Sequence, residues 1–321
     1  MEVQKAISFH GRFDEAIGAL PDKLRVALSG IPESIKNIST EVRLRTGQPI
    51  AISCPEKGWF IDSKSQLHTS PSCYPAVSSH DLSQTIISMC SYSVHSHQSE
   101  LAAGFISLRG GHRAGICGTA VIENGYITAL RDITSINIRI ARQITGAADS
   151  LIKDIFGNGL CGILIAGSPS SGKTTILRDL ARQLAGGNIG RYVKVAVIDE
   201  RCELGAVYEG IPQNNLGATC DILSGYSKGQ GILSAVRSLS PEAIICDEIG
   251  DQSDAESILC GIGCGVKIIA SAHAGSTKEL IRRPMIRKLL DHGAFDKIVL
   301  LDGSRSPGAI KDVILCSGLS A

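Results

Sequence analysis

A chain of 321 residues that is 43% apolar and 20% charged can bury more than one core, which excludes a disordered polypeptide. A formal net charge of +1 provides no global attraction to nucleic acid or an anionic membrane, so either partner would need a local patch. The 11 cysteines are odd in number and scattered, several within apolar runs (Cys161, Cys246, Cys316), as buried thiols in a reducing compartment would be. Cys260 and Cys264 have no matching second pair or nearby histidine, so no zinc site is expected.

The start, MEVQKAISFHGRFDEA, carries no leader pattern, and no stretch approaches the ~18 apolar residues of a membrane span. The expectation is a cytoplasmic protein with no direct span, peripheral at a membrane only through partner proteins. Residues 14–29 have helical spacing interrupted by Pro21, EVRLRTGQPIAIS reads as a hairpin, and Asp81 to Cys90 as a short helix. From Gly104 to Arg142 the pattern is β-rich: FISLRG, HRAGICGTAVI, a turn at Glu123-Asn124-Gly125, then YITAL and SINIRIAR.

Residues 1–142 thus read as a smaller α+β domain, and the small and polar run at 143–150 as a linker. Over 151–321, continuously apolar strands alternate with helical segments: GILIAG, a helix from Lys173, VKVAVID, a helix ending near Ser240, AIICDE, a helix around Ala255, VKIIASA, a helix through Ile281 to Leu290, and KIVLLD. This predicts an α/β domain whose mostly parallel sheet is covered on both faces.

The strand GILIAG runs into Gly167, Ser168, Pro169, Ser170, Ser171, Gly172, Lys173, Thr174 and Thr175 and then a helix. That order is a P-loop: backbone N–H groups and a helix N-terminus surround phosphates, Lys173 reaches the β- and γ-phosphates, and Thr174 ligates Mg²⁺. AIICDEIG ends in adjacent carboxylates, Asp247 suited to the Mg²⁺ shell and Glu248 to polarising water. VAVIDE ends in Asp199 and Glu200; Glu200 is a second candidate to orient water, or else a salt-bridged loop charge. KIIASAHA delivers His273, which could touch the γ-phosphate or be structural.

The P-loop at 167–174, the acidic box IDERCE at 198–203, the Asp-Glu strand at 243–250 and the histidine box ASAHAG at 270–275 stand in fixed order behind an α+β domain. Together they resemble the secretion ATPase superfamily of type II and type IV secretion and pilus motors. EVRLRTGQP, FISLRGGHRAGICGTAV, LRDITSINIRIAR and DERCELG are closer to its sporulation branch, the stage III sporulation AA family, over nearly the whole chain. The resemblance implies RecA-like ATPase domains in a homo-oligomeric ring, a hexamer, with mobile N-terminal domains and an integral-membrane partner protein. It also implies that arginines complete the nucleotide site from the N-terminal domain and a neighbouring subunit. Arg131, Arg139, Arg142 and Arg237 occupy comparable stretches, and a fixed planar charge suits that task.

Two departures limit what carries over. There is no tetracysteine module, and Ile249-Gly250-Asp251 replaces the Arg-Asp that follows the glutamate in type II motors, so translocation of a protein or pilin is not implied. The expectation is a Mg²⁺-dependent ATP hydrolase that powers or assembles a membrane-associated channel complex during sporulation. The alternatives are a nucleic-acid-binding ATPase and a nucleotide-gated scaffold without turnover. Against nucleic acid, the basic run Arg109 to Arg113 has no interleaved aromatics and the overall charge is nearly neutral.

Overall fold

The computed structural model describes residues 11–72, 76–250 and 252–318. Most of the N-terminal run read for a leader, and Asp251, lie outside the described residues. The described chain divides into two compact units, one ending at Arg142 and the other running from Gln143.

The first unit comprises α1 (Arg12–Ile17), α2 (Asp22–Ser29), α3 (Glu33–Ile38), β1 (Glu41–Arg45), β2 (Ile50–Ser53), β3 (Gly58–Ile61), β4 (Leu67–His68), α4 (Ser79–Met89), α5 (Gln98–Ala102), β5 (Phe105–Ser107), β6 (Arg113–Glu123) and β7 (Tyr126–Arg139). Pro21 separates α1 from α2 by standing just before the new helix, where its missing N–H is no loss. α4 begins earlier than its sequence pattern because Ser78 and Asp81 form a reciprocal capping box.

The hairpin expected around Gly47 is β1 and β2, with Arg43 opposite Ala51. YITAL and the SINIR of SINIRIAR are one strand, β7, which ends at Arg139 and follows β6 through two register shifts after a turn with positive φ at both Asn124 and Gly125. The sheet order is β4-β3-β2-β1-β7-β6-β5. β1 alternates strictly, so Val42 and Leu44 join Ile50, Ile52, Ile136 and Ile138 in a core shared with the helices.

The second unit comprises α6 (Asp149–Asp154), β8 (Ile163–Gly167), α7 (Lys173–Ala185), β9 (Val195–Asp199), β10 (Cys220–Ser224), α8 (Lys228–Ser238), β11 (Ala243–Cys246), α9 (Gln252–Gly263), β12 (Lys267–His273), α10 (Thr277–Ile281), α11 (Pro284–Asp291), β13 (Lys297–Leu301) and β14 (Ile310–Leu315). Its sheet has the order β10-β9-β11-β12-β8-β13-β14, parallel except for β14. Alternate strand residues feed two cores. Leu164, Ile198, Ile244 and Ile268 pack with α8, α9 and α11, while Ile163, Val197, Ile245 and Ile269 pack with α6 and α7.

Several local expectations are corrected. The helix read through Ile281 to Leu290 is two helices, because Pro284 cannot donate to the preceding turn and instead opens α11. α6 opens at Asp149 and buries Leu151 and Ile152. Cys90, Cys246 and Cys316 are buried, but Cys117, Cys202, Cys260 and Cys264 are exposed. In α9 the buried stripe runs through Ala255, Ile258 and Gly261, so Cys260 falls beside it and Cys264 beyond the helix. No described helix is long and apolar enough to cross a membrane.

One buried group makes the first unit sensitive to acid. His112 is 1% exposed; its Nδ1 accepts the Ala141 N–H at 2.9 Å and its Nε2 lies 3.5 Å from a Glu15 carboxylate oxygen. Burial drives its pKa from 6.5 down to about 4, against the opposing charge of Glu15. Between those values the unfolded chain binds a proton that the folded chain does not, so stability is complete above the upper value and falls as the pH drops toward the lower. The loss should be about 3 kcal/mol and is measured by chemical denaturation across the window. His112→Gln should flatten that slope.

Candidate active site

Parallel registers bring the chemistry to one sheet edge. Gly167 at the end of β8 pairs with His273 at the end of β12, and Cys246 of β11 pairs with Ala270 of β12 and Ile198 of β9. The residues that follow these pairs, Asp247, Ser271 and Asp199, therefore reach the same level. Between β8 and β9 the sheet places β12 and β11, so the P-loop opens where the chain crosses over its neighbours, the position at which α/β sheets bind ligands.

The nine residues from Gly167 to Thr175 form the end of β8, a tight loop and the first turn of α7. Ser170 (φ 60°) and Gly172 (φ 95°) bend the loop back so that α7 begins at Lys173. The connection between β13 and β14 braces it: Gly308 N–H donates to Ser171 O at 2.8 Å. A Cβ on Gly172 would stand 2.7 Å from Gly308 N, so positive φ and close approach both require glycine. Ser171 Oγ is buried with no hydrogen-bond partner among the described residues. An opened turn at a helix N-terminus with a lysine in its first position fits a phosphate chain.

Lys173 is 7% exposed, and its Nζ donates to Gly167 O (3.0 Å), Ser168 O (2.9 Å) and His273 Nδ1 (3.1 Å). Burial lowers its pKa, with Asp247 and Glu248 opposing. Because an ammonium only donates, His273 Nδ1 accepts and its Nε2 carries the proton toward Glu248 Oε1, 3.1 Å away. Thr174 Oγ1 donates to Asp247 Oδ2 at 3.1 Å, joining P-loop and acidic strand directly. Asp247 Oδ1 accepts from Ser271 Oγ (2.7 Å) and from Glu248 N (2.9 Å), and Ser271 Oγ also receives the Glu248 N–H at 3.1 Å. A hydroxyl and a carboxylate in contact beside a phosphate cradle are a donor set that fits Mg²⁺.

Lys173, Thr174, Asp247, Glu248 and His273 thus form one connected group. Glu200 does not join it: its carboxylate meets Lys228 at 2.6 Å, and Lys228 also approaches Asp254 at 3.5 Å. Beside it, Asp199 is buried and receives the N–H groups of Glu203, Leu204 and Gly205, which shapes the loop after β9. Arg237 is exposed in the last turn of α8, where the chain returns to the start of β11 at the opposite sheet edge. In the first unit, Arg139 is exposed at the end of β7 and Arg131 lies beside Asp132, while Arg142 donates to Lys36 O at 3.1 Å.

Two residues that touch the group lie inside the quoted boxes but were given no role there. Ser271 sits between alanines in an apolar strand and is fully buried. Arg201 follows the acidic pair and places Nη1 2.9 Å from Glu248 Oε2. Ser271 could have been found from the strand register, since it lies level with Asp247.

A P-loop on a parallel sheet, with carboxylates at the ends of β9 and β11, is a RecA-like fold. The ATPase DotB of Legionella pneumophila has this fold: its crystal structure superposes with a TM-score of 0.55 at 17% identity, covering 84% of this chain and 73% of that one. The pilus retraction motor PilT, solved with bound ADP, gives a TM-score of 0.51 at 13% identity, covering 84% and 76%. Within that class the chain belongs to the family described as Sporulation stage III, protein AA, which matches residues 17–319. Stage III sporulation protein AA of Bacillus subtilis (strain 168) is 36% identical over 301 residues, 94% of each chain.

The brace on the P-loop is directly testable. Gly172→Ala should cost about 1–3 kcal/mol in chemical denaturation, the range for a strained backbone position, with the Gly308 contact pushing it to the upper end.

Proposed function

We propose that this chain is a ring-forming, Mg²⁺-dependent ATP hydrolase that powers or assembles a membrane-associated channel complex during sporulation. The observation that carries the hydrolytic part is the 3.1 Å contact between Thr174 and Asp247, with Glu248 next in sequence at the same strand end. Phosphate binding alone would need the loop and Lys173; turnover also needs a metal-side carboxylate and a base, and both stand beside the loop.

In this reading the backbone N–H groups at the start of α7 bind the phosphates, and Lys173 exchanges the carbonyls of Gly167 and Ser168 for phosphate oxygens. Mg²⁺, held by Thr174 and Asp247, would neutralise charge on the transferring phosphoryl group. Glu248 accepts the proton of the attacking water, and Ser271 holds Asp247 and the Glu248 backbone in place. His273 links Lys173 to Glu248, so movement of the lysine onto phosphate is felt at the base.

The family supports the sporulation setting, and the secretion-ATPase resemblance of the sequence supports a hexameric ring and an integral-membrane partner. The division into domains 1–142 and 151–321 joined by residues 143–150 belongs to the same proposal, with Arg139 acting from the first. Arg237, exposed in the last turn of α8 and away from its own P-loop, supports a ring in which it would act on a neighbouring copy's phosphate.

Turnover of ATP should fall at least ~100-fold in Glu248→Gln, the usual scale for a general base, while ATP binding persists. Equal turnover in the variant and the parent would remove Glu248 as the base. Lys173→Ala should lose ATP binding as well. Mixing Lys173→Ala chains with Arg237→Ala chains should restore part of the turnover each lacks alone; no recovery on mixing would confine Arg237 to a structural role.

A further inference from the structure

Glu248 is held more tightly than a free base would be. Its φ of 23° lies in the left-handed region that side-chain-bearing residues avoid, and its backbone N–H is tied to Asp247 and Ser271. Both carboxylate oxygens are also engaged, Oε1 with His273 and Oε2 with Arg201. A carboxylate whose two oxygens each face a donor offers water a poorer acceptor.

Arg201 differs from the other partners. Its side chain is 62% exposed, whereas that of His273 is 36% exposed and Ser271 is fully buried. It projects from a loop whose base is firmly built. Asp199 receives three backbone N–H groups there, and Arg178 of α7 donates to Glu203 O (2.7 Å) and Leu204 O (3.2 Å). A second bridge ties this loop to the Glu248 segment: Glu200 meets Lys228, Lys228 approaches Asp254, and Asp254 accepts the Gly250 N–H at 2.8 Å. The loop is therefore fixed at its root while its arginine is the exposed, exchangeable end of the contact.

We propose that Arg201 is a positioning residue that latches Glu248, and that an anionic phosphate group bound at the P-loop competes for its guanidinium and frees the carboxylate for water. The proposal rests on Glu248 being the base of an ATPase. Guanidinium pairs with phosphate as readily as with carboxylate, so the exchange needs no new chemistry, and exposure leaves the arginine little packing to lose.

The test is steady-state ATP turnover with Mg²⁺ for the parent, R201A, R201K, E248Q and R201A/E248Q, with thermal melting of each to check folding. R201A should raise kcat about 3–10-fold, the effect of relieving 0.7–1.4 kcal/mol, with KM for ATP changed less than about two-fold. R201K should return kcat toward the parent value, and R201A/E248Q should be as slow as E248Q. A lower kcat in R201A would overturn the latch and assign Arg201 to stabilising the transferred phosphoryl group; an unchanged kcat would overturn it too. These outcomes leave the ATPase reading intact. Turnover that E248Q does not slow would defeat that reading and the latch with it. A silent parent with an active R201A would support the latch, and silence in both would defeat both proposals.

Discussion

The parallel register of β8, β12, β11 and β9 is the constraint on which the site depends. Parallel strands buried on both faces must be apolar along their length, and the runs ILIAG, AIIC and VAVID are. Charged residues then gather where the strands run out, and equal register makes them run out together. The meeting of Thr174 with Asp247, and of Ser271 with Asp247, follows from that alignment more than from any attraction between the groups themselves.

At that edge, charge is arranged as a chain of alternating partners. Lysine, imidazole, carboxylate and guanidinium follow one another from Lys173 through His273 and Glu248 to Arg201. Each group satisfies its neighbour, so moving one end leaves a partner unmatched. Partly buried polar groups are costly to leave unpaired, which gives the chain reason to shift as a unit and couples the phosphate side of the site to the acid side.

Much of this was legible in the sequence because the informative residues sit at element boundaries. The P-loop, Asp247, Glu248 and His273 stand at strand ends that apolar runs make obvious, and the sporulation-family resemblance read from the boxes agrees with the family match over residues 17–319. What sequence hid was pairing. β10 and β14 are edge strands with mixed polarity, so neither has the continuous apolar signature of the central strands. Ser271 looks like any small residue in a buried strand until register sets it beside Asp247. The conspicuous Glu200 instead reaches sideways to Lys228, because a side chain at a strand end can serve the loop as well as the cleft.

The brace of Gly308 against Ser171 joins parts of the chain that are far apart in sequence. During synthesis the phosphate loop leaves the ribosome well before β13, β14 and the turn that presses on it. Until those strands dock, Gly172 has nothing at its back and the bend it supports has no external restraint. The order of synthesis thus leaves the loop without its brace until the last strands of the second unit have been made.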